Sequence, residues 1–284
     1  MRRRSFLLAG AAASIAGPAM AQSSGGRQGD SAAVDSGFSS RAPNAHLTPE
    51  EALAFAKQVE NDLAARQARL ALVFRTGRPR SALPEGISYT HGAFWAYVPI
   101  TTAAGEQVHG YAVYNEYSGD GVTVPRTSSY LHQDFPLDFI RASAVDDVAI
   151  IIPSPEMQRR ILHIMASPTY EQLHIQSYSL VANPLDARHQ NCNEFMLDVI
   201  GSAAWETSDY NQIKANLRRH FRPTRVRAGL FERLLGPIAD ERLRMDDQSG
   251  RIVTATYESM AVFMQENGLG QESYVLQRAV APAA

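Results

Sequence analysis

Apolar positions recur at helical spacing near the start of the structured chain. Leu53, Ala56, Val59 and Leu63 fall on one face of a segment opened by Thr48-Pro49-Glu50-Glu51. That opening supplies an N-cap, a proline at the first helical position and a capping-box glutamate, so the pattern predicts a helix from Thr48 onward. From Leu70 the period shortens. Leu70–Phe74 is a brief apolar run ended by Thr76-Gly77-Arg78-Pro79, and Ile87–Ile100 and Val108–Tyr117 are two β-rich runs joined by the turn-like stretch 102–106. Within the first of these runs His91, Ala93, Trp95 and Tyr97 share one face, and Gly92, Phe94, Ala96 and Val98 share the other. Val148–Ile152 predicts a buried strand, and Ser154-Pro155-Glu156 then starts a helix carrying Ile161, Leu162 and Met165. Asn191–Trp205 is the clearest helix of the second half, with Asn191 as cap, Glu194 at the capping-box position and Phe195, Val199 and Ala203 in a stripe. Further helices are predicted over 208–221, stopped by Pro223, and over Thr256–Asn267, ended by Gly268. A central set of antiparallel strands flanked by helices is an α+β arrangement.

Both ends read differently. Arg2, Arg3 and Arg4 precede a short apolar stretch, Phe6 to Ala16, and Ala19-Met20-Ala21 has the small-x-small form of a cleavage site. Residues 1–21 therefore read as a signal peptide, and the mature chain as periplasmic or secreted. Arg3-Arg4-Ser5-Phe6-Leu7 also resembles a twin-arginine signal, although an ordinary secretory peptide accounts for it equally. Residues 22–45 contain ten Ser and Gly out of 24, too little apolar surface to offset ordering entropy, and read as a flexible linker. One domain is expected over 46–270, with a C-terminal tail over 271–284.

Composition removes several classes. Charged residues make up 20% of the 284 and the net charge is −2, which fits neither a disordered chain nor a nucleic-acid binder with a basic stripe. Without residues 1–21 the chain has 24 basic against 29 acidic side chains, a mildly acidic −5. A single cysteine excludes an intramolecular disulfide framework and any thiolate-only metal site. His163, His174 and His189 lack zinc spacing, Asp146-Asp147 and Asp246-Asp247 lack a calcium-loop pattern, and no phosphate-cradling glycine loop is present. No cofactor, no metal and no membrane span after signal cleavage are expected. Only Lys57 and Lys214 are lysines; the other 25 basic residues are arginines.

The one cysteine, Cys192, follows a helix cap directly. There the helix dipole and unpaired backbone N–H groups favour thiolate over thiol. A nucleophilic thiol needs a base, and His91, flanked by Gly92 and Ala93, is the candidate. The rival reading is bland: a small buried hydrophobe and a satisfied strand histidine. Export favours use, because an idle accessible thiol is open to oxidation outside the cell. A third group should orient the imidazole. Asn115 is the first choice, with His109 and Tyr111 on the same face as alternatives. Arg75, Arg78 and Arg80 fit either an anion-binding loop or a solvated basic one.

Two resemblances extend this reading. Leu72–Arg80, Tyr89-Thr90-His91, Pro99–Thr102, Gly110–Asn115, Ala166–Tyr170 and Asn191–Glu194 resemble an uncharacterised family of exported bacterial proteins known as domain of unknown function 2145, over roughly residues 45 to 270. More distantly, a strand histidine followed about a hundred residues later by Asn-Cys opening a helix is similar to the circularly permuted NlpC-like papain folds, including the lecithin:retinol acyltransferase group. That similarity implies a papain-like sheet packed on helices, Cys192 as nucleophile, His91 as base, and Asn115 on the strand that follows. It further implies a thiol-dependent hydrolase or acyltransferase acting on a peptide, cell-wall or lipid-like acyl substrate. The alternative is a non-catalytic periplasmic module that keeps the fold and binds a partner.

Overall fold

The computed structural model describes residues 41–102, 104–227 and 241–279. The expected signal peptide and residues 22–40 of the expected linker lie outside them. Six antiparallel strands form one sheet: β1 (Leu70–Arg75), β2 (His91–Thr101), β3 (Gln107–Ser118), β4 (Ser129–Asp134), β5 (Asp147–Pro153) and, numbered after two short strands, β8 (Gly270–Gln277). Their order across the sheet is β4-β3-β2-β1-β5-β8, and every neighbouring pair runs antiparallel. A separate two-stranded ribbon pairs β6 (Thr224–Val226) with β7 (Ile252–Thr254).

Strand alternation divides the interior into two layers. On one face Ala71, Val73, Ala93, Trp95, Val113, Val148 and Ile150 pack against α1 (Pro49–Ala65) and α2 (Pro136–Arg141). On the other, Leu70, Leu72, Phe74, Phe94, Ala96, Ala149 and Ile151 meet α3 (Pro155–Met165), α4 (Thr169–Gln172), α5 (Cys192–Trp205), α6 (Tyr210–His220) and α7 (Tyr257–Glu266). β1 is buried over its whole length because it lies inside the sheet and is covered on both faces. The mixed α+β class follows from this arrangement.

The predicted caps form at α1, where the Thr48 hydroxyl accepts from the Glu51 N–H and the Glu51 carboxylate accepts from the Thr48 N–H. At α5, Asn191 Oδ1 accepts from the Glu194 N–H. The Glu194 carboxylate does not close a capping box there; it accepts from Lys214 Nζ at 2.7 Å. Two boundaries also differ from expectation. Residues 41–45 are not flexible linker: Arg41 pairs with Asp134, the Asn44 N–H donates to the Arg141 carbonyl, and its side chain donates to the Gly77 carbonyl. Residues 271–277, expected as tail, belong to the edge strand β8, paired with β5 from Asp147 to Pro153. Tyr274 and Leu276 pack on the α1 layer. An edge strand has one face to bury, so two apolar residues among polar ones suffice, and the sequence signal is weak.

Candidate functional site

α5 is buried from Cys192 through Ala203 and runs against β2. Its start reaches the end of the sheet because Gly92 has no side chain. A Cβ there would stand 2.3 Å from Met196 Cε, 2.8 Å from Asn193 Oδ1 and 2.8 Å from Phe74 Cδ1. The space beside Gly92 is thus filled by the helix. The same Asn193 Oδ1 accepts from Cys192 Sγ at 3.9 Å, so the residue that packs against Gly92 also holds the sulfur. The sulfur is buried, with the residue 2% exposed. It lines a small cavity of about 50 Å³ shared with Asn191, Asn193, Tyr89, Thr90 and the apolar side chains of Leu83, Leu180 and Val181.

His91 starts β2 rather than lying in its middle. Its ring turns to the α1–α2 face, stacked on Tyr117 with centroids 5.1 Å apart and tilted against Phe139. Nε2 lies 3.0 Å from Asn115 Oδ1, while Nδ1 is buried and meets no hydrogen-bond partner. Burial pushes the imidazole well below its ordinary pKa, and the Arg75 cation adds to the effect. The ring is therefore neutral at pH 7. Of the three residues considered as its orienting partner, Asn115 is the one that meets it. Tyr111 donates instead to the Ala68 carbonyl at 2.6 Å, and His109 stacks on Tyr97.

Two further residues join this group: Arg75, which the sequence set only in a basic loop, and Asp134, which it did not single out. Arg75, paired across the strands with His91, is fully buried at the end of β1 and not part of a solvated loop. Its guanidinium donates to the Ala142 carbonyl, lies over the Phe139 ring, and interacts electrostatically with Cys192 and Tyr117. A cation within reach of the sulfur favours thiolate. Asp134, on β4, accepts from Tyr117 Oη at 2.6 Å, from Arg41 Nη2 at 2.9 Å and from Asn115 Nδ2 at 3.4 Å. Burial pushes its carboxyl up, but His132, Tyr117 and Arg41 outweigh that and hold it below the ordinary value. The antiparallel register Asn115↔His132 is the signal that would have found Asp134, two residues along β4 on the same face.

The other candidates are accounted for elsewhere. Arg80 forms a two-pronged ion pair with Asp147, which also accepts from Tyr89 Oη. His189 sits between Ser177 Oγ and Asp246, and His174 meets Ser129 Oγ. Among the described residues no three His, Cys, Asp or Glu side chains converge as metal ligands, and no helix is long and apolar enough to cross a membrane.

The strands and helix that build this group fall inside one matched segment. The sequence profile of a bacterial family, described as "Uncharacterized protein conserved in bacteria (DUF2145)", matches residues 62–264. The chain belongs to that family. The DUF2145 segment takes in β1 to β5 and α5, and with them Arg75, His91, Asn115, Asp134 and Cys192. No curated protein and no solved structure matches the chain.

Proposed function

We propose that this DUF2145 protein is an exported, papain-like thiol hydrolase or acyltransferase, with Cys192 as nucleophile, His91 as general base and Asn115 as the group that orients the imidazole. One observation carries the reading: His91 is held through Nε2 by Asn115 while its buried Nδ1 meets no partner, one residue along β2 from Gly92, whose missing side chain makes room for Asn193, the residue that accepts from the Cys192 sulfur. A structural histidine of this burial ordinarily uses both nitrogens. In the reaction, Nδ1 takes the thiol proton as Sγ attacks the substrate carbonyl. The Sγ–C bond forms, the bond to the amine or alcohol breaks, and the proton leaves with that group. Water, or a second alcohol or amine, then releases the acyl group from sulfur. A first-turn backbone N–H of α5, that of Cys192 or Asn193, would receive the oxyanion; Asn191 takes up the N–H groups of Glu194 and Phe195, which follow. A neutral His91 means that no imidazolium faces the sulfur at rest.

The test is acylation of the sulfur. Activated acyl esters and amides should yield a thioester at Cys192 detectable by mass spectrometry, and Cys192→Ala should abolish it. His91→Ala should slow it about 10²- to 10⁴-fold. The burial of both Cys192 and His91 favours a second reading, a binding module that keeps the fold without catalysis. A sulfur that reacts with iodoacetamide only after unfolding would select that reading and end the first.

A further inference from the structure

We infer that Asp134 is a positioning residue: through Asn115 it dictates which nitrogen of His91 carries the proton. The inference deepens the catalytic reading above and rests on it for its consequence, but the proton's location is observable without turnover.

The argument is one of donors and acceptors. An ionised carboxylate only accepts hydrogen bonds, and an amide has one accepting end and one donating end. Asp134 Oδ2 lies 3.4 Å from the amide nitrogen of Asn115, and the Val113 carbonyl, a second pure acceptor, lies 3.3 Å from the same nitrogen. Both require the NH2 end, so Oδ1 faces His91 at 3.0 Å. An accepting oxygen at Nε2 requires Nε2–H. In a neutral imidazole the lone pair then falls on Nδ1, the nitrogen without a partner. Asp134 can play this part only while ionised, and Tyr117, Arg41 and His132 all stand around it to keep it so. Among the described residues, Tyr117 stacks on the ring and Phe139 lies tilted against it, and neither is hydrogen-bonded to a ring nitrogen.

Asp134→Asn keeps the shape and removes the constraint, because an amide at 134 can donate to Asn115 and let it turn over. The NH2 end of Asn115 then faces Nε2, the proton moves to Nδ1, and the nitrogen assigned as base loses its lone pair. In histidine-labelled protein, ¹⁵N shifts distinguish a protonated from an unprotonated ring nitrogen. The wild type should show His91 as neutral Nε2–H at pH 7, and Asp134→Asn should show a large Nδ1–H population. Acylation of Cys192 should fall about 10- to 100-fold in that variant, less than the full effect known for losing an orienting partner, because Val113 still holds the amide. Asn115→Asp combined with Asp134→Asn should restore Nε2–H, since a carboxylate at 115 accepts whichever way it turns. A wild-type Nδ1–H form, or an Asp134→Asn protein that stays wholly Nε2–H, overturns the inference. If Asp134→Asn does not fold, the wild-type tautomer and the double variant decide. A tautomer that shifts as expected in a protein that never acylates would instead retain the inference and end the catalytic reading.

Discussion

Gly92 matters at the scale of single residues because it has nothing to contribute but space. A methyl group there meets Met196, Asn193 and Phe74 at 2.3 to 2.8 Å. The Met196 terminus can swing aside, but Phe74 is packed in the core and Asn193 is held by the Ala255 carbonyl. Gly92→Ala should therefore cost about 1–3 kcal/mol in urea unfolding, and native-state alkylation of Cys192 should quicken as the start of α5 lifts from β2. Cys192, His91 and Asn115 were legible as residues because each combines a reactive or polar side chain with a definite place on a helix or strand. Arg75 was not. In sequence it stands beside Gly77 and Pro79 with two other arginines, and only the pairing of β1 with β2 shows it beside His91. Asp134 is hidden for the same reason, since its tie to Asn115 exists only through the pairing of β3 with β4.

At the scale of elements, α5 is a helix whose start was readable and whose flank was not. Asn191, Cys192 and the apolar stripe announce it, yet Glu194 read as a capping-box acid and nothing marked Asp198. Both are buried, and Lys214 Nζ on α6 lies 2.7 Å from each. Burial raises both carboxyls above their ordinary pKa, against the pull of Lys214. Lys214→Met would leave two buried acids without their cation and should lower stability by about 3–5 kcal/mol, read as a fall in melting temperature. Glu116 on β3 is the opposite case, a fully buried carboxyl with neither oxygen hydrogen-bonded. Burial raises its pKa to about 8, with Asp198 adding to the rise and Lys214 and the Ser129 hydroxyl opposing it. Between its unfolded value and about 8 the folded chain holds a proton that the unfolded chain has released, so stability falls as pH rises through that window. Glu116→Gln should flatten the fall: urea midpoints of variant and wild type should lie nearer at pH 5 than at pH 8, with the variant gaining at the higher pH.

For the molecule as a whole, the α+β class and the alternation of faces were plain, because period-2 runs and capped period-3.6 runs leave separate marks. The closing strand was not. β8 adds only Tyr274 and Leu276 to the α1 layer, while its other side chains are largely polar. Its pairing partner β5 is buried along its whole length. Ending the chain at residue 269 should expose that apolar strand as a new edge, and the shortened protein should aggregate where the full chain stays monodisperse in size-exclusion chromatography.

The chain's scarcity of lysine gives a practical handle. Lys57 projects from α1 with 65% of its side chain exposed, whereas Lys214 is 1% exposed. Amine-reactive reagents applied to the folded protein should therefore modify Lys57 and the chain's α-amino group and leave Lys214 untouched. Label arriving at Lys214 would clock the opening of the α5–α6 pair, so one peptide in a mass spectrum reports how often the ground beneath Cys192 gives way.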